Sequence, residues 1–222
     1  MSKVAIVTGG GRGIGRGCAH ELARQGLDIV LVDLIEEDLA RTRTEIEAMG
    51  RTGRIDVLVN NAGRSNDRGI LEIDEEAFDR TIAINLKGAF NWTHAVAPHM
   101  MERQTGRIVM MSSLNAYSGG VTSAVSKFSY TAAKAGLLGM TRALAKELAP
   151  HVLVNAVCPG VIETERGNAM IHARKDELVA GIALGRTGTP ADVAQAVAFL
   201  ALSEPCFVTG QDIVVDGMQW IA

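Results

Sequence analysis

A chain of 222 residues with 47% hydrophobic residues, 21% charged residues and a formal charge of −3 has the balance of one globular domain large enough to bury a core. The slight negative charge gives no field that draws polyanions, and no run reaches the roughly eighteen unbroken apolar residues of a membrane span, so neither nucleic acid nor membrane is expected as a partner. Cys18, Cys158 and Cys206 are odd in number, far apart and lack paired spacing, which argues against disulfides and zinc alike, and the direct entry from Met1-Ser2-Lys3 into an apolar run points to a cytoplasmic protein.

The first apolar run, Val4 to Val7, reads as a buried strand, and Ile14, Cys18 and Leu22 beyond it recur at helical spacing. Between strand and helix lies Thr8-Gly9-Gly10-Gly11-Arg12-Gly13-Ile14-Gly15. A diphosphate needs backbone N–H groups at close range and the positive end of a helix dipole, and residues without a Cβ let the chain come that near. Gly9, Gly13 and Gly15 stand where those demands fall. A glycine turn without a ligand has the same composition, so Asp33 carries the added weight. It closes the second run, Ile29 to Val32, where a carboxylate accepts ribose hydroxyls and repels a 2′-phosphate, which favours NAD over NADP. Arg12 is either a phosphate partner or a solvated loop cation.

Further strand runs follow at Val57 to Val59, Ile108 to Met111, Val152 to Val157 and Ile213 to Val215. Helical patterns cover Ile14 to Arg24, Glu36 to Met49, Glu75 to Met101, Phe128 to Leu148 and Ala191 to Leu202. The last opens with Thr189-Pro190-Ala191-Asp192, a cap, a first-turn proline and a dipole-matching acid. Strands apolar on both faces, alternating with helices, define an α/β fold: a single domain over 1–222 with a Rossmann-type doubly wound parallel sheet. Glu163 to Gly188 is charged and poorly periodic, and it follows the carboxyl end of the fifth strand, so it is a candidate substrate lid.

Tyr130 and Lys134 fall at i and i+4 of one helical pattern, which sets a phenol and an ammonium on the same face. A nearby positive charge favours the phenolate, so Tyr130 is a candidate general acid/base. Ser112 and Ser113 end the strand Ile108 to Met111 at the same sheet edge as the glycine turn.

These residues together resemble the short-chain dehydrogenase/reductase family from end to end. The resemblance rests on Thr8 to Gly15, Asn60-Asn61-Ala62-Gly63, Asn85, Ser113, Tyr130 with Lys134, Pro159-Gly160 with Thr164, and Val208-Thr209-Gly210 before Val215-Asp216-Gly217. It implies that Tyr130 exchanges a proton with the substrate oxygen, that Ser113 binds that oxygen, and that Lys134 lowers the phenol's pKa and holds a ribose. It further implies that Asn85 supports a water-linked proton path, while Asn61, Ala62 and Gly63 line the cofactor with Pro159 and Gly160, and Ile162 and Thr164 fix the nicotinamide face. Asn60 is read as structural. Family members are commonly homodimers or homotetramers, here expected to join through the Glu75 to Met101 and Phe128 to Leu148 helices.

Two departures stand out. The loop between Ser113 and Tyr130 is about four residues longer than the family's usual spacing, which leaves Ser112 and Ser118 as rivals of Ser113. Between the Asp33 strand and the Asn60 strand, where the family has helix, strand and helix, a single helical pattern leads straight to Ile55, so one edge strand and the helix after it are expected to be missing. The implied activity is hydride transfer between NAD(H) and a small polar secondary alcohol or ketone. The alternatives are a 3-oxoacyl thioester reductase and a non-catalytic nucleotide-binding scaffold.

Overall fold

Strands that are apolar on both faces must lie between two covering layers. The computed structural model describes residues 3–35, 37–38, 54–120, 126–165 and 173–220. Among these, β1 (Lys3–Thr8), β2 (Asp28–Val32), β3 (Arg54–Asn60), β4 (Gly106–Met111), β5 (Val152–Pro159) and β6 (Asp212–Val215) pair in the order β2-β1-β3-β4-β5-β6, every pair parallel. The helices are α1 (Gly13–Arg24), α2 (Glu75–Ile82), α3 (Gly88–Glu102), α4 (Asn115–Ser118), α5 (Phe128–Glu147), α6 (Lys175–Ala180) and α7 (Pro190–Leu202).

Successive strand side chains point to opposite faces, and the two cores follow that alternation residue by residue. Ala5, Val7, Val57, Val59, Val109 and Val157 pack with Cys18 and Leu22 of α1 and with Val193 and Val197 of α7. Ile6, Leu58, Ile108, Met110, Val154, Ala156 and Cys158 face the other way, against Val96 and Met100 of α3 and Leu137 and Leu138 of α5. Each large side chain buried this way contributes about 1.5 to 3 kcal/mol. The two layers leave the carboxyl ends of the strands uncovered.

From β1 the chain steps outward to β2 and then returns to the other side of β1 as β3. This reversal is a topological switch point, and it opens a crevice between the ends of β1 and β3. No strand lies beyond β2 among the described residues, in keeping with the expected loss of an edge strand. Of the helix expected over Glu36 to Met49 only Glu37 and Asp38 are described, as helical; the rest, and the junction at Gly50 to Gly53, lie outside the described residues.

The helix expected over Glu75 to Met101 forms with a break in phase. A π turn at Ala83–Lys87 separates α2 from α3. Such a turn inserts a residue into the helical path and rotates everything after it. The short helices α4 and α6 carry too little periodicity to be read from sequence. No helix among the described residues is long and apolar enough to cross a membrane.

The opening of α7 is built as its sequence suggests. Thr189 Oγ1 accepts from Asp192 N (3.3 Å), Asp192 accepts from Thr189 N (2.7 Å), and Pro190 occupies the first turn. Arg186 donates to both oxygens of Asp192 at 2.8 Å, and the Asp192 carboxyl is held well below the usual carboxylate range, first by that guanidinium. Thr189→Ala should lower stability by about 0.5 to 2 kcal/mol, seen as an earlier urea midpoint at unchanged slope. An unshifted midpoint would remove the cap from the account of α7.

Candidate active site

The glycine turn between β1 and α1 is shaped by steric exclusion. Gly9 and Gly13 have φ of +66° and +55°, a region that side chains disfavour. Gly15 is confined by its neighbours instead: a Cβ there would stand 2.0 Å from the Gly9 carbonyl oxygen. Gly9 N and Gly10 N donate to Val32 O at 2.7 and 3.2 Å, and Gly11 N donates to Asp33 Oδ2 at 3.0 Å, so the turn and the end of β2 are one unit. Arg12, the N-cap of α1, provides no side-chain cap and pairs with Asp38 at 3.5 Å.

On the other side of the switch point, Thr8 Oγ1 accepts from Asn61 N and Ala62 N, both at 3.0 Å. Asn61 Nδ2 donates to Thr8 O at 2.9 Å and to Gly9 O at 3.2 Å. Asn60 is buried and donates to Thr93 Oγ1 at 3.0 Å, the structural part expected of it. Asn85, on the π turn, donates to Arg64 O and Thr81 O at 2.9 Å and accepts from Arg64 N at 3.0 Å. Its amide therefore clamps the loop after Gly63 from beneath, and Asn85 lies behind the pocket wall.

At the end of β4, Ser112 and Ser113 have different surroundings. Ser112 is buried and donates to Lys134 O at 2.8 Å, which ties β4 to α5. Ser113 is half-buried, its hydroxyl accepts from Asn115 N at 3.2 Å, and it lines the same cavity wall as Tyr130. Lys134 Nζ lies 5.6 Å from the centre of the Tyr130 ring and donates to Met111 O at 2.7 Å. Ser118 is on α4, where its hydroxyl donates back to Leu114 O at 3.2 Å.

The electrostatics differ from the sequence expectation that Lys134 brings the phenol toward neutral pH. Burial pushes Tyr130 above its ordinary value, with the Ser113 hydroxyl acting the other way, and burial pushes Lys134 down to about 8. The enclosure that brings the two groups together disfavours the charged form of each.

A cavity of about 800 Å³ runs along this edge. Its wall contains every residue assigned to the cofactor from sequence: Gly9, Arg12, Gly13, Ile14, Gly15, Asp33, Asn61, Ala62, Gly63, Tyr130, Lys134, Pro159, Gly160, Ile162 and Thr164. Ser113 is there too. Sequence reasoning missed Ser65, Ile84, Trp92 and Glu165; Ile84 lies in the π turn and Trp92 in the helix after it, where a single continuous helix misplaces the phase. Arg166 and His172 of the candidate lid lie outside the described residues. The base of that lid is pinned, with Glu163 N donating to Gly188 O at 2.8 Å and Gly188 N to Val161 O at 2.9 Å. The donor set fits an extended dinucleotide: a helix amino end beside glycines that admit no Cβ, the Asp33 carboxylate after β2, and hydroxyls with an amine after β4 and on α5.

An open parallel sheet with this turn at its switch point defines a nucleotide-binding α/β protein. A family profile described as short chain dehydrogenase matches residues 3–52, and one described as enoyl-(acyl carrier protein) reductase matches residues 46–217. The 3-oxoacyl-[acyl-carrier-protein] reductase FabG of Thermotoga maritima is 36% identical over 241 residues, covering 97% of this chain and 96% of its own. Two solved structures align closely. A 3-oxoacyl-[acyl-carrier protein] reductase with bound NAD from Brucella melitensis has a TM-score of 0.88 at 31% identity, covering 100% of this chain and 92% of the other. ElxO with NADP bound has a TM-score of 0.86 at 28% identity, covering 98% of each chain. The chain belongs to the short-chain dehydrogenase/reductase family of oxidoreductases. The two profile matches change over at 46–52, in the connection where a strand and a helix are expected to be absent.

Lys134 gives a prediction with a definite sign. Its folded value of about 8 lies below the ordinary 10.5, so between those pH values the unfolded chain holds a proton that the folded chain has released, and this group's contribution to stability rises with pH. Lys134→Met should therefore stabilise the fold more at pH 7 than at pH 10, by roughly 2 to 3 kcal/mol. Urea unfolding at the two pH values measures the difference; an equal effect at both would place the ammonium in a water-like setting.

Proposed function

We propose that the protein transfers a hydride between NAD(H) and a small polar secondary alcohol or ketone, with Tyr130 as general acid/base. The observation that carries this reading is that Ser113, Tyr130 and Lys134 line one cavity, with the Lys134 amine 5.6 Å from the centre of the Tyr130 ring and with β1 and β3 between this group and Asp33. The nicotinamide, when bound, gives or takes the hydride. The chain's own residues manage the proton and the oxygen. Ser113 holds the substrate oxygen by a hydroxyl hydrogen bond, and the Tyr130 phenol, which burial keeps protonated, donates its proton to a developing alkoxide or recovers it in the other direction. Lys134 positions the tyrosine and presents its amine toward the ribose end of the cavity. Ile162 and Thr164 bear on the nicotinamide face, and Asn85 holds the loop that carries Arg64.

Asp33 supports NAD over NADP. Its carboxylate lines the cavity, anchored by Gly11 N and by Leu34 N at 2.7 Å, and Arg12 beside it is already paired with Asp38. Arg64, exposed on the cavity wall, supports a polar substrate, as does an adjoining hollow of about 230 Å³ lined by Asn66, Asp67, Arg68 and Arg80. A second reading, a 3-oxoacyl thioester reductase, is favoured by the names of the relatives at about 35% identity. Comparing kcat/KM for acetoacetyl thioesters with that for small hydroxy and oxo compounds separates the two. The three clustered side chains speak against a non-catalytic scaffold. The half-exposed Phe90 on α3, its ring tilted against that of His94, supports assembly of dimers or tetramers through α3 and α5.

Tyr130→Phe should lower kcat by at least about 100-fold and leave the dissociation constant of NAD within twofold. Turnover like the parent's would refute the assignment. Asp33→Ser should narrow the preference for NAD over NADP, measured as the ratio of kcat/KM values. A parent enzyme that already uses NADP as well as NAD would overturn the role given to Asp33.

A further inference from the structure

The amino end of α1 carries an anion that belongs to the protein itself. Gly13 N donates to Glu165 Oε2 at 3.1 Å, and Arg16 Nη1 donates to Glu165 Oε1 at 3.2 Å. One carboxylate thus engages a free helix amide and a cation one turn along. Gly13 and Glu165 both line the large cavity, and α1 has neither a side-chain cap nor an acid of its own in the first turn. A helix end of this kind draws negative charge from whatever source stands nearest. Thr164 lies over the same place, its Cγ2 only 3.4 Å from where a Cβ on Gly13 would be.

The backbone leading to Glu165 is held on its amino side. The segment beneath it is fixed by the bridge between Ile162 and Gly188 and by the bond from Glu163 N to Gly188 O, two residues before the carboxylate. A diphosphate that takes the Gly13 amide at the Gly9 to Gly15 turn displaces Glu165 from it, so that two anions compete for one helix end.

We propose that Glu165 is an internal competitor for the diphosphate seat and so sets the affinity of the site for its nucleotide. The proposal rests on the reading of this cavity as a nicotinamide-nucleotide site. Only the fraction of molecules with Glu165 withdrawn receives the nucleotide at full strength, which weakens apparent binding by that fraction. The negative charge does this, so the neutral isostere relieves it.

The test is calorimetric titration of the full chain and of Glu165→Gln and Glu165→Ala with three probes. NAD and inorganic pyrophosphate should each bind both variants about 3-fold to 30-fold more tightly than the parent. Adenosine, which has no phosphate, should bind all three proteins within twofold of one another; a change in adenosine affinity in step with NAD would mean that the substitutions reshape the cavity, and would overturn the proposal. Pyrophosphate that binds the variants no better than the parent, or binds none of them, overturns it as well. If pyrophosphate shows the gain while neither NAD nor NADP binds any of the proteins, the competitor stands and the nicotinamide reading falls.

Discussion

Two pieces of backbone that meet without side chains between them set the geometry of this molecule. Gly15 lies so close to the Gly9 carbonyl that a methyl group would overlap it, and Asn61 spans the same junction with bonds to Thr8 O and Gly9 O. The turn after β1 and the loop after β3 are therefore one rigid body. From it the helix amides, the Asp33 carboxylate and the loop held by Asn85 all take their positions. A protein can hold functional groups to within a fraction of an ångström only when their supports are themselves immobile, and here that support is a backbone contact at the sheet's switch point.

Burial is the second constraint, and it varies along the cavity. Around Tyr130 and Lys134 it disfavours charge, raising the pKa of the phenol and lowering that of the amine. Near Gly13 the wall is more open, and Arg16 and Glu165 stand there as a partly exposed pair 3.2 Å apart. One cavity thus joins a desolvated phenol and amine to a more open helix end that carries an ion pair.

The sheet was legible because its strands are apolar on both faces and its turns carry glycines; each of the six runs reappears within a few residues of its expected bounds. The site was legible where chemistry is concentrated in local spacing: Tyr130 with Lys134, the turn from Gly9 to Gly15, and Asp33 at a strand end. Three features were hidden for physical reasons. The π turn at Ala83–Lys87 has no composition that marks it, and it shifts the phase of Ile84 and Trp92. Glu165 reaches α1 from 152 residues away, a tertiary contact that no local pattern contains. The pKa of Tyr130 follows its burial rather than its neighbour at i+4, and burial is a property of the assembled layers.

A thiol is buried in each of the two layers, one on helix α1 and one on strand β5. Cys18 is fully buried on the α1 and α7 side and Cys158 on the α3 and α5 side, with pKa values pushed up to about 12 and about 11 by loss of water. Both are silent toward electrophiles in the folded state, because the thiolate is the reacting form. Cys206, partly exposed, is the thiol within reach of a reagent. The molecule therefore carries its own pair of internal labels: alkylation at residue 18 or at residue 158 records which face of the sheet has opened, and the order of the two records the sequence in which its halves come apart.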